Sequence, residues 1–161
     1  MNYLNVNELI SNAKKSFSHN NISIISQNCI GGVFYHDMNE KFLSPTINLY
    51  FKAYDFLKFV KNISYYIMLD IEVVQTEPII IGKLDDVKIY FLHYHNVDEV
   101  INKWNSRRKR VLMDKLFIIC TDRDGFDNKC FEIFKRLPYH KALITRNYKW
   151  KDYPFCIYLD K

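Results

Sequence analysis

Short runs of β-branched and aromatic residues alternate along this chain with segments of helical periodicity, and few architectures accept that order of elements. A helix with one apolar side needs a partner to cover it, so alternating elements favour helices packed on the faces of a sheet. We therefore predict an α/β fold: a single-domain layered sheet, mostly parallel or mixed, with helices packed on it in a Rossmann-like arrangement. The chain has 161 residues, of which 48% are hydrophobic, and this is enough for one domain around one core. We therefore expect a single domain over residues 1–161.

The individual elements are predicted from periodicity and from turn residues. Helices are expected at 5–17, 53–62, 96–110 and 127–135. Strands are expected at 22–26, 115–121, 141–145 and 155–159, with one more within 44–51 and two around the Leu-Asp-Asp turn of 78–94. Polar segments follow three strand ends, at 26–32, 93–96 and 120–125. Ligands bind beyond the carboxyl ends of strands in α/β sheets, so these three segments are the candidate site.

The net charge of +5 is concentrated in one stretch of the chain. Residues 103–115 hold six basic residues and one acid, whereas the remainder holds 17 of each sign. A single basic patch can face a phosphate, a membrane surface or an acidic partner. The charge is not spread as in nucleic-acid coat proteins, and no RNP, helix-turn-helix or zinc-finger pattern is present, so we expect no nucleic-acid partner.

The four cysteines form no CxxC pair, so the sequence has neither a zinc-binding nor a thioredoxin-like pattern. No apolar signal core is found at the N-terminus, and no run of about 18 apolar residues is present, so no transmembrane segment is expected. We therefore expect a cytoplasmic protein whose cysteines are reduced. Peripheral association with the inner membrane surface is the alternative location.

Two of the four glycines, Gly31 and Gly32, stand together in the polar segment after the strand at 22–26. In a loop, they can adopt positive φ and turn backbone N–H groups into a cavity that binds an anion. The residues that follow, VFYHDMN, do not read as a helix start, so no contribution from a helix dipole is expected. A plain tight turn is the alternative.

Histidines and a cysteine supply the candidate catalytic groups. In an extended segment, His93 and His95 point to one face and Tyr94 to the other. The two imidazoles could share acid–base work, grip a phosphate or ligate a metal, or they could be hydrogen-bonded residues at a strand end. Cys29 is a candidate nucleophile if His36, His93 or His95 lowers its thiol pKa, and otherwise a half-buried loop cysteine.

The helix expected at 96–110 carries an apolar stripe that includes Trp104, and Arg107 and Arg108 continue the stripe three and four residues later. At least one arginine is therefore aimed inward, where a guanidinium needs an anionic partner. Asp122, Asp124 or a ligand phosphate could supply that anion. The alternative is a cationic last turn that interacts with the helix dipole.

Two carboxylates, Asp122 and Asp124, follow the buried strand at 115–121 in the sequence Asp-Arg-Asp-Gly. This DxD spacing can hold a divalent metal and the diphosphate of a nucleotide sugar, because carboxylates bind hard cations well. The same four residues also make a good turn. The sequence leaves the cofactor unknown, with a divalent metal as one option.

Six segments in order resemble a bacterial family of unknown function whose members are described as exopolysaccharide or capsular polysaccharide biosynthesis proteins, some as acetyltransferases or glycosyltransferases. The segments are SIISQNCIGGVFYHDM, FLSPTINLYF, DFLKFVKN, FLHY, KWNSRRKRV and TDRDG. The resemblance runs from about residue 22 to 125. The positions that match the family motifs are Asn28, Cys29, Gly31, Gly32, Ser44, Pro45, Asn48, His93, Tyr94, Trp104, Arg107, Arg110, Asp122, Asp124 and Gly125.

The resemblance implies an enzyme of surface polysaccharide biosynthesis, a transferase acting on a sugar-phosphate or nucleotide-sugar substrate. The backbone of 28–32 and Arg107 or Arg110 would bind the anionic part of the substrate, and His93 or His95 would act as acid–base. The alternatives are a non-catalytic carbohydrate- or phosphate-binding subunit of the same pathway and a Cys29-dependent acyltransferase. The expected partners are an anionic sugar-containing small molecule and a further subunit of the assembly pathway. All of these hypotheses require the diglycine segment, the histidines and the tryptophan–arginine stripe to meet around one cavity.

Overall fold

The computed structural model describes residues 21–160. Along the chain the elements are β1 (Ser23–Ser26), α1 (Ile30–Asp37), α2 (Ala53–Lys61), α3 (Ile63–Tyr66), β2 (Glu72–Gln75), β3 (Ile80–Leu84), β4 (Val87–Phe91), α4 (Val97–Arg108), β5 (Leu116–Thr121), α5 (Asn128–Arg136), β6 (His140–Thr145), a 3₁₀ turn (Tyr148–Trp150) and β7 (Cys156–Tyr158). The helix expected at 5–17 lies outside the described residues.

Four strands form a parallel sheet in the order β1-β5-β6-β7. The inner strand β5 is buried along nearly its whole length, as its continuous apolar sequence predicts. Because the strands are parallel, their carboxyl ends at Ser26, Thr121, Thr145 and Tyr158 lie at one edge of the sheet. The predicted α/β layered sheet with helices packed on it is confirmed.

A second sheet, antiparallel, has the order β2-β3-β4. The hairpin of β3 and β4 turns at the predicted Leu-Asp-Asp sequence, where Asp85 has φ 54°. The strand expected within 44–51 is reduced to one isolated bridge between Tyr50 and Tyr90, whose rings stack with centroids 4.6 Å apart. This bridge ties the segment that follows α1 to the second sheet.

The three longest helices follow their sequence signals closely. α2 buries Phe56, Leu57, Phe59 and Val60 in the main core. α4 begins after Asn96, whose side chain accepts a hydrogen bond from the backbone N–H of Glu99 at 2.8 Å, as an N-cap should. α5 begins in the same way after Asp127, which caps the N–H of Cys130 at 2.8 Å. These caps explain why the predicted starts agree with the observed ones.

The diglycine segment is a helix, and its prediction as a loop with positive φ was wrong. Gly31 and Gly32 lie in the first turn of α1, and among the described glycines only Gly125 has positive φ, at 88°. A Cβ on Gly31 would lie 2.5 Å from Oγ of Ser26, and one on Gly32 would lie 3.2 Å from Cγ2 of Ile47. The glycines therefore serve to let the helix backbone approach β1 and the segment around Ile47.

Within residues 21–160, no helix combines the length and the apolarity that crossing a lipid bilayer requires.

Candidate functional site

A cleft of about 650 Å³ opens at the carboxyl edge of the parallel sheet. The ends of β1, β5 and β6 form its floor, as expected for ligand sites in parallel sheets. Its polar lining includes Asn28, Thr121, Asp122, Arg123, Asp124, Thr145 and Arg146. Its apolar walls include Ile30, Val33, Tyr50, Leu92, Ile144 and Leu159.

The fully buried amide of Gln27 joins the ends of β1 and β5 beneath this cleft. Its Oε1 accepts from the backbone N–H of Thr121 at 2.9 Å and from the Thr121 hydroxyl at 3.1 Å. Its Nε2 donates to the carbonyl of Arg123 at 3.3 Å. One side chain thus fixes where Thr121 and Arg123 enter the cleft.

Asn28, one residue later, makes a second connection between the ends of β1 and β5. Its Nδ2 donates to the Thr121 hydroxyl at 3.1 Å, and its Oδ1 accepts from the N–H of Ile30 at 3.2 Å. The hydroxyl of Ser26 accepts from the N–H of Gly31 at 3.2 Å. The side chains of Ser26 and Asn28 thus accept from two of the first N–H groups of α1. These bonds hold the start of the helix against the cleft floor.

Asp122 ties β5 to β6. Its Oδ2 accepts from the Thr145 hydroxyl and from the backbone N–H of Arg146, both at 2.8 Å. Asp122 is thus engaged in positioning the Arg146 backbone. The predicted partnership of Asp122 with an arginine of α4 is not observed.

Asp124 and two arginines are the exposed charges of the cleft. Asp124 has φ 56° and Gly125 follows at 88°, a left-handed turn that Asp and Gly tolerate. The Asp124 carbonyl accepts from the N–H of Ala53 at 2.9 Å, which anchors the turn to α2. Across the described residues, the Arg123 and Arg146 guanidinium groups form no ion pair and are exposed. Their charge is therefore available to a ligand.

Cys29 lines the cleft at the N-cap position of α1. Its Sγ lies 3.8 Å from the carbonyl oxygen of Leu49. Burial raises the pKa of the Cys29 thiol, and the backbone hydrogen bond that lowers it is the smaller effect. A raised pKa keeps the sulfur protonated at neutral pH, which disfavours the nucleophile hypothesis.

The histidines predicted as acid–base groups lie outside the cleft lining. β4 ends at Phe91 and residues 92–93 turn, so only Leu92 of this segment faces the cleft. His93 and His95 are exposed, and the backbone N–H of His95 donates to Glu99 at 2.8 Å. The expectation that both imidazoles extend from a strand was wrong, while a catalytic role for either remains a prediction.

The predicted residues of the 44–48 segment act as supports. Ser44 is buried and its Oγ lies 3.0 Å from Oγ1 of Thr46, which in turn accepts from the N–H of Ser26 at 3.0 Å. Asn48 has φ 59°, and its carbonyl accepts from the N–H of His93 at 3.4 Å. Neither residue lines the cleft.

The tryptophan–arginine stripe lies apart from the cleft. Trp104 is buried in the main core, and its Nε1 donates to the carbonyl of Leu69 at 3.2 Å. Arg107 points inward as predicted, but it donates to the Tyr94 hydroxyl at 3.0 Å instead of meeting Asp122 or Asp124. Arg110 reaches the carbonyl of Phe42 at 3.5 Å. The cleft therefore unites Asn28, Cys29, Asp122 and Asp124. Of the three groups expected to meet around one cavity, only the segment 26–32 lines this cleft, and the histidines and the tryptophan–arginine stripe do not. The expected convergence of the three groups on this cleft is not observed.

For a metal, the arrangement offers little. In residues 21–160, no three His, Cys, Asp or Glu side chains lie close enough together to hold an ion. Asp122 and Asp124, the two carboxylates of the cleft, would have to bind an ion together with ligand oxygens or water.

Gln27, Thr121 and Arg123 lie in the segments 26–32 and 120–125 that the sequence predicts for the site, but none of the three is a predicted site residue. Arg146 lies outside every predicted segment. It directly follows the predicted strand 141–145, so the strand-end rule applied to that strand would have found it.

Comparison with known proteins places the whole chain in one family. Residues 1–161 match the domain of unknown function DUF1919. An uncharacterized protein of Haemophilus influenzae is 38% identical over 142 residues, which cover 88% of this chain and 68% of that protein. Neither description names an activity or a polysaccharide pathway. The chain belongs to the DUF1919 family.

Proposed function

We propose that the cleft binds an anionic sugar derivative, a sugar phosphate or nucleotide sugar, and that the protein acts on it as a transferase of surface polysaccharide biosynthesis. The observation that carries the proposal is the pair of unpaired arginines, Arg123 and Arg146, in a cleft at the carboxyl ends of parallel strands. The pathway comes from the resemblance of the six sequence segments and is part of the proposal.

The charge pattern of the cleft suits a phosphate. Two guanidinium groups approach from adjacent strand ends, and a guanidinium matches the oxygens of a phosphate with paired N–H donors. Asp122 and Asp124 bring the formal charge of the described lining to zero, but among the described residues neither carboxylate pairs with Arg123 or Arg146. Oδ2 of Asp122 accepts instead from the Thr145 hydroxyl and from the backbone N–H of Arg146. The two guanidinium groups can therefore bind the phosphate of a sugar phosphate, which a neutral sugar lacks.

The remaining lining suits a sugar. The Asn28 amide uses one N–H on Thr121 and accepts one bond from Ile30, so its second N–H can bond a sugar hydroxyl. Tyr50 offers part of a ring face. Val33 and Leu92 are 55% and 52% exposed at the cleft walls, where they can cover the C–H face of a sugar ring. A ligand with both a phosphate and a pyranose would contact each part of the lining.

For a transferase, Asp124 is the best-placed base. Its carboxylate has no ion-pair partner among the described residues. Its charge helps to raise the pKa of the cleft residue Tyr50, after the larger effects of burial and of Tyr90. Asp124 would take the proton of an acceptor hydroxyl while that oxygen attacks the donor sugar and the bond to phosphate breaks. This assignment takes over the role first predicted for His93 or His95.

A non-catalytic binding subunit of the same pathway is the second candidate function. It is favoured by the lining: among residues 21–160 no histidine lines the cleft, and the thiol that does, Cys29, has a pKa raised by burial. Binding needs only the arginines and the polar floor. The two candidates share a ligand and differ in turnover.

Isothermal titration calorimetry with glucose 1-phosphate and UDP-glucose tests the proposal. We expect both compounds to bind and glucose to bind at least about 10-fold more weakly, because charge-assisted bonds to phosphate are lost. Arg123→Gln and Arg146→Gln should each weaken phosphate-bearing ligands about 10-fold. Lys109→Gln is the matched control. It removes an exposed positive charge from the basic stretch 103–115, outside the cleft, and should leave the affinity for these ligands unchanged. Equal binding of glucose, or variants that bind like the unsubstituted protein, would refute the anionic ligand.

Turnover then separates the two candidates. Asp124→Asn should retain ligand affinity and lose release of UDP or phosphate from the donor, measured by mass spectrometry in the presence of saccharide acceptors. Product formation that persists in Asp124→Asn excludes Asp124 as the base. Tight binding with no product from any donor supports the binding subunit.

A further inference from the structure

Arg107 is a buried cation without a counter-ion among the residues that the structure describes. The residue is only 8% exposed, in the last turn of α4. Its guanidinium lies over the Phe42 ring, with 5.1 Å from Cζ to the centroid, and donates to the Tyr94 hydroxyl at 3.0 Å. Within residues 21–160 it forms no ion pair with a carboxylate. Burying a charge without an opposite charge costs free energy, so this arrangement needs a compensating group.

Tyr94 does not supply the missing negative charge. Its hydroxyl donates to the carbonyl of Ile47 at 2.8 Å while it accepts from Arg107. Burial raises the pKa of Tyr94 to about 12 although Arg107 lowers it, so the phenol stays neutral. Glu99 acts on Tyr94 from a distance, but its own carboxylate bonds Lys103 and the backbone N–H of His95. Arg107 therefore faces only neutral groups.

Neighbouring cations of the same helix are treated differently. Arg108 pairs with Asp70 and Lys103 pairs with Glu99. Arg110 follows the end of α4 by two residues, and in the described chain its guanidinium has only the Phe42 carbonyl as a hydrogen-bond partner, at 3.5 Å. The guanidinium groups of Arg107 and Arg110 thus both contact Phe42, one at its ring and one at its carbonyl, and both lack a carboxylate partner among the described residues. The partial negative charge at the C-terminal end of α4 acts on Arg108 as well as on Arg107. It therefore does not explain why Arg108 has a carboxylate partner and Arg107 has none among the described residues.

The site is open to a ligand. Among buried side-chain nitrogen and oxygen atoms of the described residues, only Oδ1 of Asn105 lacks a partner. The Arg107 nitrogens that form no hydrogen bond are therefore not sealed off and keep contact with solvent. Tyr94 and Phe42 fix the orientation of the Arg107 guanidinium, which reduces the conformational entropy lost when an anion binds.

We propose that Arg107 and Arg110 form an anion site that takes a phosphate group and is separate from the strand-end cleft. Neither arginine, nor Phe42 or Tyr94, lines that cleft. The site requires both guanidinium groups to reach one tetrahedral oxyanion, whose several oxygens can accept from two arginines. The phosphate could be free inorganic phosphate or the phosphate of a sugar phosphate, and the two share this chemistry.

Arginine Nε–H resonances in ¹H–¹⁵N NMR spectra test this site directly, with inorganic phosphate as the probe and chloride as the ionic-strength control. The Arg107 and Arg110 signals are assigned by their absence in Arg107→Gln and Arg110→Gln. Both signals should shift saturably with phosphate and stay unchanged with chloride. A parallel titration with glucose 1-phosphate distinguishes the sources: at least 10-fold tighter binding means that the sugar is recognised, and equal binding means that phosphate alone is.

Thermal unfolding gives a second readout that does not depend on assignment. With phosphate about tenfold above its Kd, the midpoint should rise by about 3 °C. The comparison is made in the Arg123→Gln/Arg146→Gln background, which removes the phosphate-binding arginines of the cleft. In this background Arg107→Gln and Arg110→Gln should abolish the rise, whereas Lys109→Gln should keep it. No resonance shift, or no midpoint rise in the background protein, overturns the site. A rise that occurs only with the cleft arginines present assigns phosphate to the cleft, so failure here leaves the proposed function standing.

Discussion

Gln27→Leu should lower the free energy of unfolding by about 3 kcal/mol, because leucine fills the space of the side chain but replaces none of its hydrogen bonds. The backbone N–H and hydroxyl of Thr121 lose their common acceptor, and the Arg123 carbonyl loses its donor. Each buried polar group left without a partner costs about 1–3 kcal/mol, and added apolar burial offsets part of this. The midpoint of thermal unfolding should fall by about 6–12 °C.

Gln75→Leu is the matched control. Gln75 is half-buried, and its Nε2 makes one hydrogen bond, to the carbonyl of Ile79 at 3.2 Å. Its replacement should cost less than about 1 kcal/mol. If urea unfolding shows the two leucine variants equally stable, then Gln27 does not hold β1 to β5. Gln27→Leu should also weaken glucose 1-phosphate binding, because Arg123 follows the strand end that the amide fixes.

Gly31→Ala should destabilise the protein by about 2–3 kcal/mol, although alanine favours helix over glycine by about 1 kcal/mol. The added methyl group would lie 2.5 Å from Oγ and 3.0 Å from Cβ of Ser26, and 3.3 Å from Cγ2 of Ile24. Ser26 cannot turn away freely, since its hydroxyl accepts from the N–H of Gly31 and donates to the carbonyl of Asn28. Either α1 shifts from the sheet or the hydrogen bonds break.

Two comparisons make the test of Gly31 specific. Val33→Ala lies in the same helix at a 55% exposed position and should change stability by less than about 0.5 kcal/mol. In the double variant Ser26→Ala/Gly31→Ala the nearest atom is gone, so the combined loss should be smaller than the sum of the single losses by about 1 kcal/mol. A Gly31→Ala protein as stable as the original in urea unfolding would contradict the close approach of α1 to β1.

The sequence was most informative where local and tertiary preferences agree. Asn96 and Asp127 cap α4 and α5 at the predicted starts, and the apolar run of β5 is buried as expected. The strand-end rule also located the cleft, because it depends only on strands being parallel and adjacent. Cys29 and Asp124 line it as that rule predicts.

Prediction failed where tertiary contacts override local preference. Gly31 and Gly32 are poor helix formers, and their sequence gives no sign that Ser26 and Ile47 press against that side of α1. The segment His93–His95 is predicted to be extended, but β4 ends at Phe91. Its side chains therefore do not alternate between two faces of a strand. The inward direction of Arg107 was predicted, whereas its partner Tyr94 was not, because that contact depends on how the segment just before α4 packs against the last turn of the helix.

The central claim is that a phosphate-bearing sugar occupies the cleft at the carboxyl edge of the parallel sheet. A crystal structure of the protein with glucose 1-phosphate tests it most directly. We predict phosphate oxygens within about 3 Å of a guanidinium nitrogen of Arg123 or Arg146, and sugar hydroxyls bonded to Asn28 or Asp124. An empty cleft in crystals that hold the compound elsewhere on the protein would contradict the account.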